Sequence, residues 1–174
     1  MRAVPGDRSR ESPPRPDADG RHGNLDDPDI YRELGDRFGE ANSLTYLADV
    51  RAATGDGPGA LRDVDRAVEV FRDLGSRSNK AWALGHQAAI LAHTGDHARA
   101  LPLFRRALSM AREVTQPDDE ALALGGIGEC LVLEGKAGDA VRHLDDALEI
   151  FRRLGMRREI ERVTRRLAGL RPSA

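Results

Sequence analysis

Thr54–Leu61 reads TGDGPGAL and Thr94–Leu101 reads TGDHARAL, the same opening and the same closing Ala-Leu, 40 residues apart. A further 40 residues on, Glu134–Val141 (EGKAGDAV) keeps the glycine and the alanine in their places. A second series holds the same register: Tyr31–Gly35 (YRELG), Phe71–Gly75 (FRDLG), Ala111–Thr115 (AREVT) and Phe151–Gly155 (FRRLG). A period of this length belongs to stacked supersecondary units, each of which buries its apolar face only against its neighbours. Such an array works through its surface.

The units are helical. Leu44, Leu47 and Ala48 begin one apolar face, and Leu61, Val64, Ala67, Val68 and Phe71 mark the next, at spacings of three and four residues. Between them Gly55 suits a left-handed C-terminal turn and Asp56 an N-cap, a grammar repeated at Gly95 and Asp96. In the third copy Gly135 stays but Lys136 replaces the capping carboxylate. The spacing predicts helix pairs at 36–54 with 57–74, 76–94 with 97–114, and 118–134 with 137–154. The units are therefore about 36–74, 76–114 and 116–154, closed by a capping helix at 156–169. The fold class is all-α: stacked antiparallel helix pairs, about three and a half repeats within residues 29–170. Pro102, several residues inside its helix, removes one backbone hydrogen bond and predicts a mild kink. Residues 1–28 hold five of the nine prolines, scattered charge and little that is apolar, and are expected to form a disordered arm.

Small residues recur where helices must approach: Ala48, Ala88, Gly128 and Ala168 in first helices, Ala60, Ala100 and Ala140 in second helices. Ala67, Ala107 and Ala147 form a third series, each followed by Val68, Leu108 or Leu148. This order, with glycine at the turn, resembles the tetratricopeptide repeat family, whose usual unit is 34 residues. The lengthened unit, with its Leu34–Ala41 junction (LGDRFGEA), is similar to the C-terminal arrays of actinobacterial antibiotic-regulatory transcription regulators and to the Leu-Gly-Asn-rich polarity scaffolds. The arginine-rich composition favours the first. Departures from the pattern include Gln87 and Ala111 at apolar and aromatic positions, and Thr115 at a glycine position.

The resemblance implies a right-handed α-solenoid whose first helices line a concave groove for protein or peptide partners. Transferred by register, the groove residues are Asn42, Thr45, Tyr46 and Asp49, then Trp82, His86 and His93, then Glu129, then Arg162, Arg165 and Arg166. Aromatic residues and arginine are the usual anchors of such interfaces, while Trp82 also has the size and shape of an ordinary core residue. The lysine and asparagine set that grips a terminal carboxylate in chaperone-binding relatives is absent. Eight arginines lie between 152 and 171, with Arg158, Arg162 and Arg165 on one helical face, which points to a partner carrying acidic residues. A solvated outer face on a capping helix accounts for the same charges. The resemblance leaves two alternatives open: a detached sensor domain of a transcription regulator, and self-association through the solenoid ends.

Other classes receive little support. The net charge is −2, and no aromatic residue interleaves the C-terminal arginines, so direct nucleic-acid binding is not expected. No apolar run reaches the roughly 18–20 residues of a membrane helix, and Met1–Arg10 lacks the apolar stretch of a secretory signal. With a single cysteine, Cys130, the expected location is cytoplasmic. His93 and His97 are split by the Gly95 turn, so no metal site is expected. Gly125, Gly126 and Gly128 sit inside a helix pattern with no preceding strand, which speaks for close packing rather than a phosphate loop. Neither a cofactor nor enzymatic activity is expected.

Overall fold

The computed structural model describes residues 27–170 of the 174-residue chain. They form eight helices: α1 (Pro28–Glu33), α2 (Arg37–Ala53), α3 (Gly57–Asp73), α4 (Arg77–His93), α5 (His97–Glu113), α6 (Pro117–Leu133), α7 (Ala137–Leu154) and α8 (Arg157–Leu170). Helices α2/α3, α4/α5 and α6/α7 are the antiparallel pairs, and α4 also touches α2 on one side and α6 on the other. The result is an all-α solenoid in which α2, α4, α6 and α8 share one face.

Each turn is set by the chemistry read from the repeat. Gly35, Gly55, Gly75, Gly95, Gly135 and Gly155 all have positive φ. The next residue then donates its amide to the carbonyl five residues back, as Asp56 does to Arg51 and Asp96 to Leu91, at 2.9 and 2.8 Å. Asp36, Asp56 and Asp96 cap the following helix through their side chains, whereas Lys136 makes no such bond. Thr115 is the exception among the turns: a β-branched residue held at φ 57. The left-handed conformation costs an ordinary L-residue roughly 1–2 kcal/mol, and glycine's greater unfolded-state freedom returns part of this. Thr115→Gly is therefore expected to raise unfolding stability by about 0.5–1 kcal/mol, seen as a higher urea midpoint at unchanged slope.

The predicted helix boundaries agree with the structure to within a residue, with one addition. Helix α1 begins at Pro28, and Asp27 caps it by accepting from the amide of Asp29 at 2.9 Å, so the described fold reaches into the expected disordered arm. Residues 1–26 lie outside the described residues. By register α1 is the last turn of a second helix, and Tyr31 rests where a Cβ on Gly39 would stand. Helix α5 runs unbroken through Pro102.

The core is continuous from pair to pair. Phe71 and Phe151, at one repeat position, are fully buried, and Ala111 fills that position in the middle unit. Ile90 and Cys130 are 2% and 1% exposed because each packs on the pair before it, whereas Val50, their counterpart in the first unit, is 59% exposed. Burial pushes the Cys130 thiol up, with the carboxylates of Glu134 and Glu129 adding to the effect, which leaves a protonated, structural side chain. Gln87, polar at an apolar position, donates to Asp65 on α3. No described helix is long and apolar enough to cross a membrane.

Candidate functional site

The face shared by α4, α6 and α8 holds a pocket of about 330 Å³. It exists because the repeat positions that carry large side chains elsewhere are small here. Gly85 and Ala89 stand on α4, and Gly126 on α6, at the registers of Thr45, Asp49 and Tyr46. Gly126 has a further role. A Cβ there would lie 2.4 Å from the Phe104 ring, so only glycine lets that ring reach the groove floor from α5. Trp82, Ala123 and Leu122 complete the apolar lining.

Trp82 belongs to both core and groove. It is 7% exposed and packs with Ala41, Leu44 and Phe71, yet it also lines the pocket. An aromatic chain leads to it from the interior: Phe38 to Phe71 at 5.6 Å, Phe71 to Trp82 at 6.4 Å, then Trp82 to Tyr46 at 5.1 Å and to His86 at 4.9 Å between ring centroids. Edge-on contacts, with the Tyr46–Trp82 pair tilted, are favourable at these separations and fix the rings. His86 is held from its other side, with Nδ1 at 2.8 Å from an Asp49 carboxylate oxygen.

The mouth of the pocket is polar. Glu129 accepts from Arg166 at 2.8 Å and from Arg162 at 3.5 Å, and Glu159 accepts from Arg162 at 2.8 Å. The two Glu129 contacts join α6 to α8 across the groove, and the Glu159 contact lies within α8. Buried Asp119 adds a third carboxylate to the lining. No described group of three or more His, Cys, Asp or Glu side chains is arranged to hold a metal ion.

The structure thus brings Tyr46, Asp49, Trp82, His86, Glu129, Arg162 and Arg166 together along one face. It sets four expected groove residues apart. Thr45 is fully buried, its hydroxyl donating to the Ala41 carbonyl at 2.9 Å, so it presents nothing to a ligand. Asn42 on α2 does not line the pocket and accepts from Asn79 of α4 at 3.5 Å. His93 is exposed at the end of α4 beyond the pocket, and Arg165 is exposed on α8 but does not line it. The arginines that act together are Arg162 and Arg166, one helical turn apart, rather than Arg162 with Arg165. Sequence reasoning missed Phe104, Asp119 and Glu159. Glycine at 126, where the other units carry Tyr46 and His86, was the available signal for Phe104.

The tetratricopeptide repeat model matches residues 39–113 and again 79–153. No curated protein matches by sequence. Among solved structures, a Rap protein complexed with competence and sporulation factor superposes with a TM-score of 0.74 at 17% identity, over 82% of this chain and 40% of that one. Aspartyl phosphate phosphatase F from Bacillus subtilis gives 0.74 at 15% identity, over 82% and 38%. A signal transduction ATPase with a tetratricopeptide repeat sensor, from Pyrococcus horikoshii, gives 0.65 at 17% identity, over 78% and 21%. The chain spans well under two thirds of each of these proteins, and the likeness is one of fold.

Proposed function

The chain belongs to the tetratricopeptide repeat family, and on that premise we propose that this protein-interaction module takes its partner, a polypeptide, on the face shared by α2, α4, α6 and α8. One observation carries the reading. The face holds a mostly apolar pocket beside a fixed aromatic cluster and a ring of charged groups, the combination that binding sites use for affinity and orientation. The similarity to a Rap protein complexed with competence and sporulation factor is in keeping with it. Arg162 and Arg166 are already engaged by Glu129 and Glu159. An acidic partner would have to displace those carboxylates, so the expectation of an acidic ligand is not carried forward.

Ala89 is exposed at the pocket edge, so Ala89→Arg blocks the site without touching the core. The variant is expected to keep its helical circular dichroism while partner recovery in affinity capture falls by about tenfold or more. Undiminished recovery would place binding elsewhere.

A second reading has its own support. Val50 is exposed at the first unit where its counterparts Ile90 and Cys130 are buried, an end face of the kind that stacks on another copy. Sedimentation equilibrium distinguishes it: a mass that stays monomeric with rising concentration removes self-association.

A further inference from the structure

We infer that the pocket between α4, α6 and α8 receives one aromatic side chain of the partner polypeptide, stacked on the Arg162 guanidinium. This rests on the groove being the binding face and adds the chemistry of what it takes.

The repeat itself marks the place of the missing ring. Tyr46 and Trp82, 36 residues apart, pack with their centroids at 5.1 Å, so a side chain at this register leans on the next first helix. The same step from Gly126 reaches Arg162 on α8, and glycine brings no side chain to meet it. Two adjacent glycines frame the gap. At Gly126 a Cβ would stand 2.4 Å from the Phe104 ring, which forms the floor, and at Gly125 it would stand 3.3 Å from Arg162 Nη2. A volume of about 330 Å³ has room for one ring and its stem, and too little for a folded element.

The walls favour a ring over an aliphatic chain and over a charged group. Trp82, His86 and Phe104 line the pocket with Arg162, so an entering ring meets other rings as well as the guanidinium. Arg162 donates from Nε to Glu159 at 2.8 Å and from Nη1 to Glu129 at 3.5 Å. The N–H donors of a guanidinium point in its plane, so these bonds occupy its edge and leave its faces for stacking. Glu129 and Glu159 are thereby paired with Arg162 and Arg166, and these four groups select for neither sign of charge. On the floor, Phe104, Ala107 and Ala123 offer no hydrogen-bonding side chain, so a polar group inserted there would lose its water without replacement. An uncharged ring meets every one of these demands.

The test is selection from a phage-displayed library of short random peptides against the full chain, followed by two synthetic versions of the enriched peptide. One carries phenylalanine at the enriched position and the other cyclohexylalanine, which keeps the size and loses the π face. Wild type is expected to enrich Phe, Tyr or Trp, and to bind the phenylalanine peptide about three- to tenfold more tightly than its partner. Arg162→Met, which keeps an unbranched stem and removes the guanidinium, is expected to bind the two alike. Ala89→Trp, which fills the pocket from its exposed edge, is expected to lower peptide recovery about tenfold or more. Circular dichroism checks that both variants remain helical, and the two peptides on wild type decide the matter without Arg162→Met. Enrichment of aliphatic peptides that Ala89→Trp still abolishes would overturn this inference and leave the groove reading standing. Equal binding of the two synthetic peptides by wild type, or a phenylalanine preference that persists in Arg162→Met, would do the same. Enrichment indifferent to Ala89→Trp, or no enrichment at all, would overturn both.

Discussion

Phe71→Ala is expected to lower unfolding stability by about 3–5 kcal/mol, the usual cost of removing a fully buried phenylalanine. Phe71 is 0% exposed and sits among Ala41, Leu44, Ala67, Val70 and Trp82. Its ring has Phe38 on one side and Trp82 on the other. Neither neighbour can close the space without giving up its own packing. Against a total stability of about 5–15 kcal/mol for an ordinary domain, such a loss is large. In a solenoid each unit leans only on its neighbours, so the damage is expected to stay local. Amide exchange should quicken in α2 and α3 and change little in α7 and α8. Because Trp82 is the chain's only tryptophan, its emission reports the same event by shifting to the red. Leu154→Ala, at a side chain 40% exposed, is the matched control and should stay within about 0.5 kcal/mol of wild type.

Gly128→Val is expected to cost about 2–3 kcal/mol through overpacking. A Cβ at Gly128 would stand 2.6 Å from Leu144 Cγ and 3.3 Å from the Ala140 carbonyl oxygen. Leu144 is fully buried and has nowhere to retreat. The two earlier units carry alanine at this position without conflict, for reasons visible in the structure. Ala48 shares its cluster with the smaller Val64. Ala88 shares its cluster with Phe104, whose ring is turned toward Gly126. Leu144→Ala alone should also destabilise, by about 2–5 kcal/mol. The double variant should lose clearly less than the two costs added together, since the valine fills space the leucine vacates. Strict additivity in equilibrium unfolding would mean that the two positions do not oppose each other.

The same pair of glycines shows what sequence could reveal. Register alone placed α2 to α8, because a 40-residue period with glycine at every turn but that of Thr115 admits one phasing of the apolar faces. It also marked Gly128 and Gly126 as closely packed. What it could not reveal was which second-helix side chain fills each gap. That depends on helix crossing and ring orientation, so Phe104 emerged in the groove unannounced. Thr45 failed for a related reason. Its register lies at the margin where first helices touch, and Gly85 and Gly125 at the same register carry no side chain to show whether that margin is open. The arginine pairing failed because residues three and four apart both share a helical face. Only the position of Glu129 on α6 selects Arg166 over Arg165. The first helix, α1, was not drawn as a helix because its six residues have no first helix before them among the described residues to complete a pair.

Site-specific photo-crosslinking tests most directly whether a polypeptide partner lies on the face shared by α2, α4, α6 and α8. A photoreactive amino acid is placed in turn at Ala89, on the pocket edge, and at Arg106, exposed on α5 away from that face. The expected result is a crosslinked partner from position 89 and none from position 106. Crosslinking from position 106 with none from position 89 would contradict that placement.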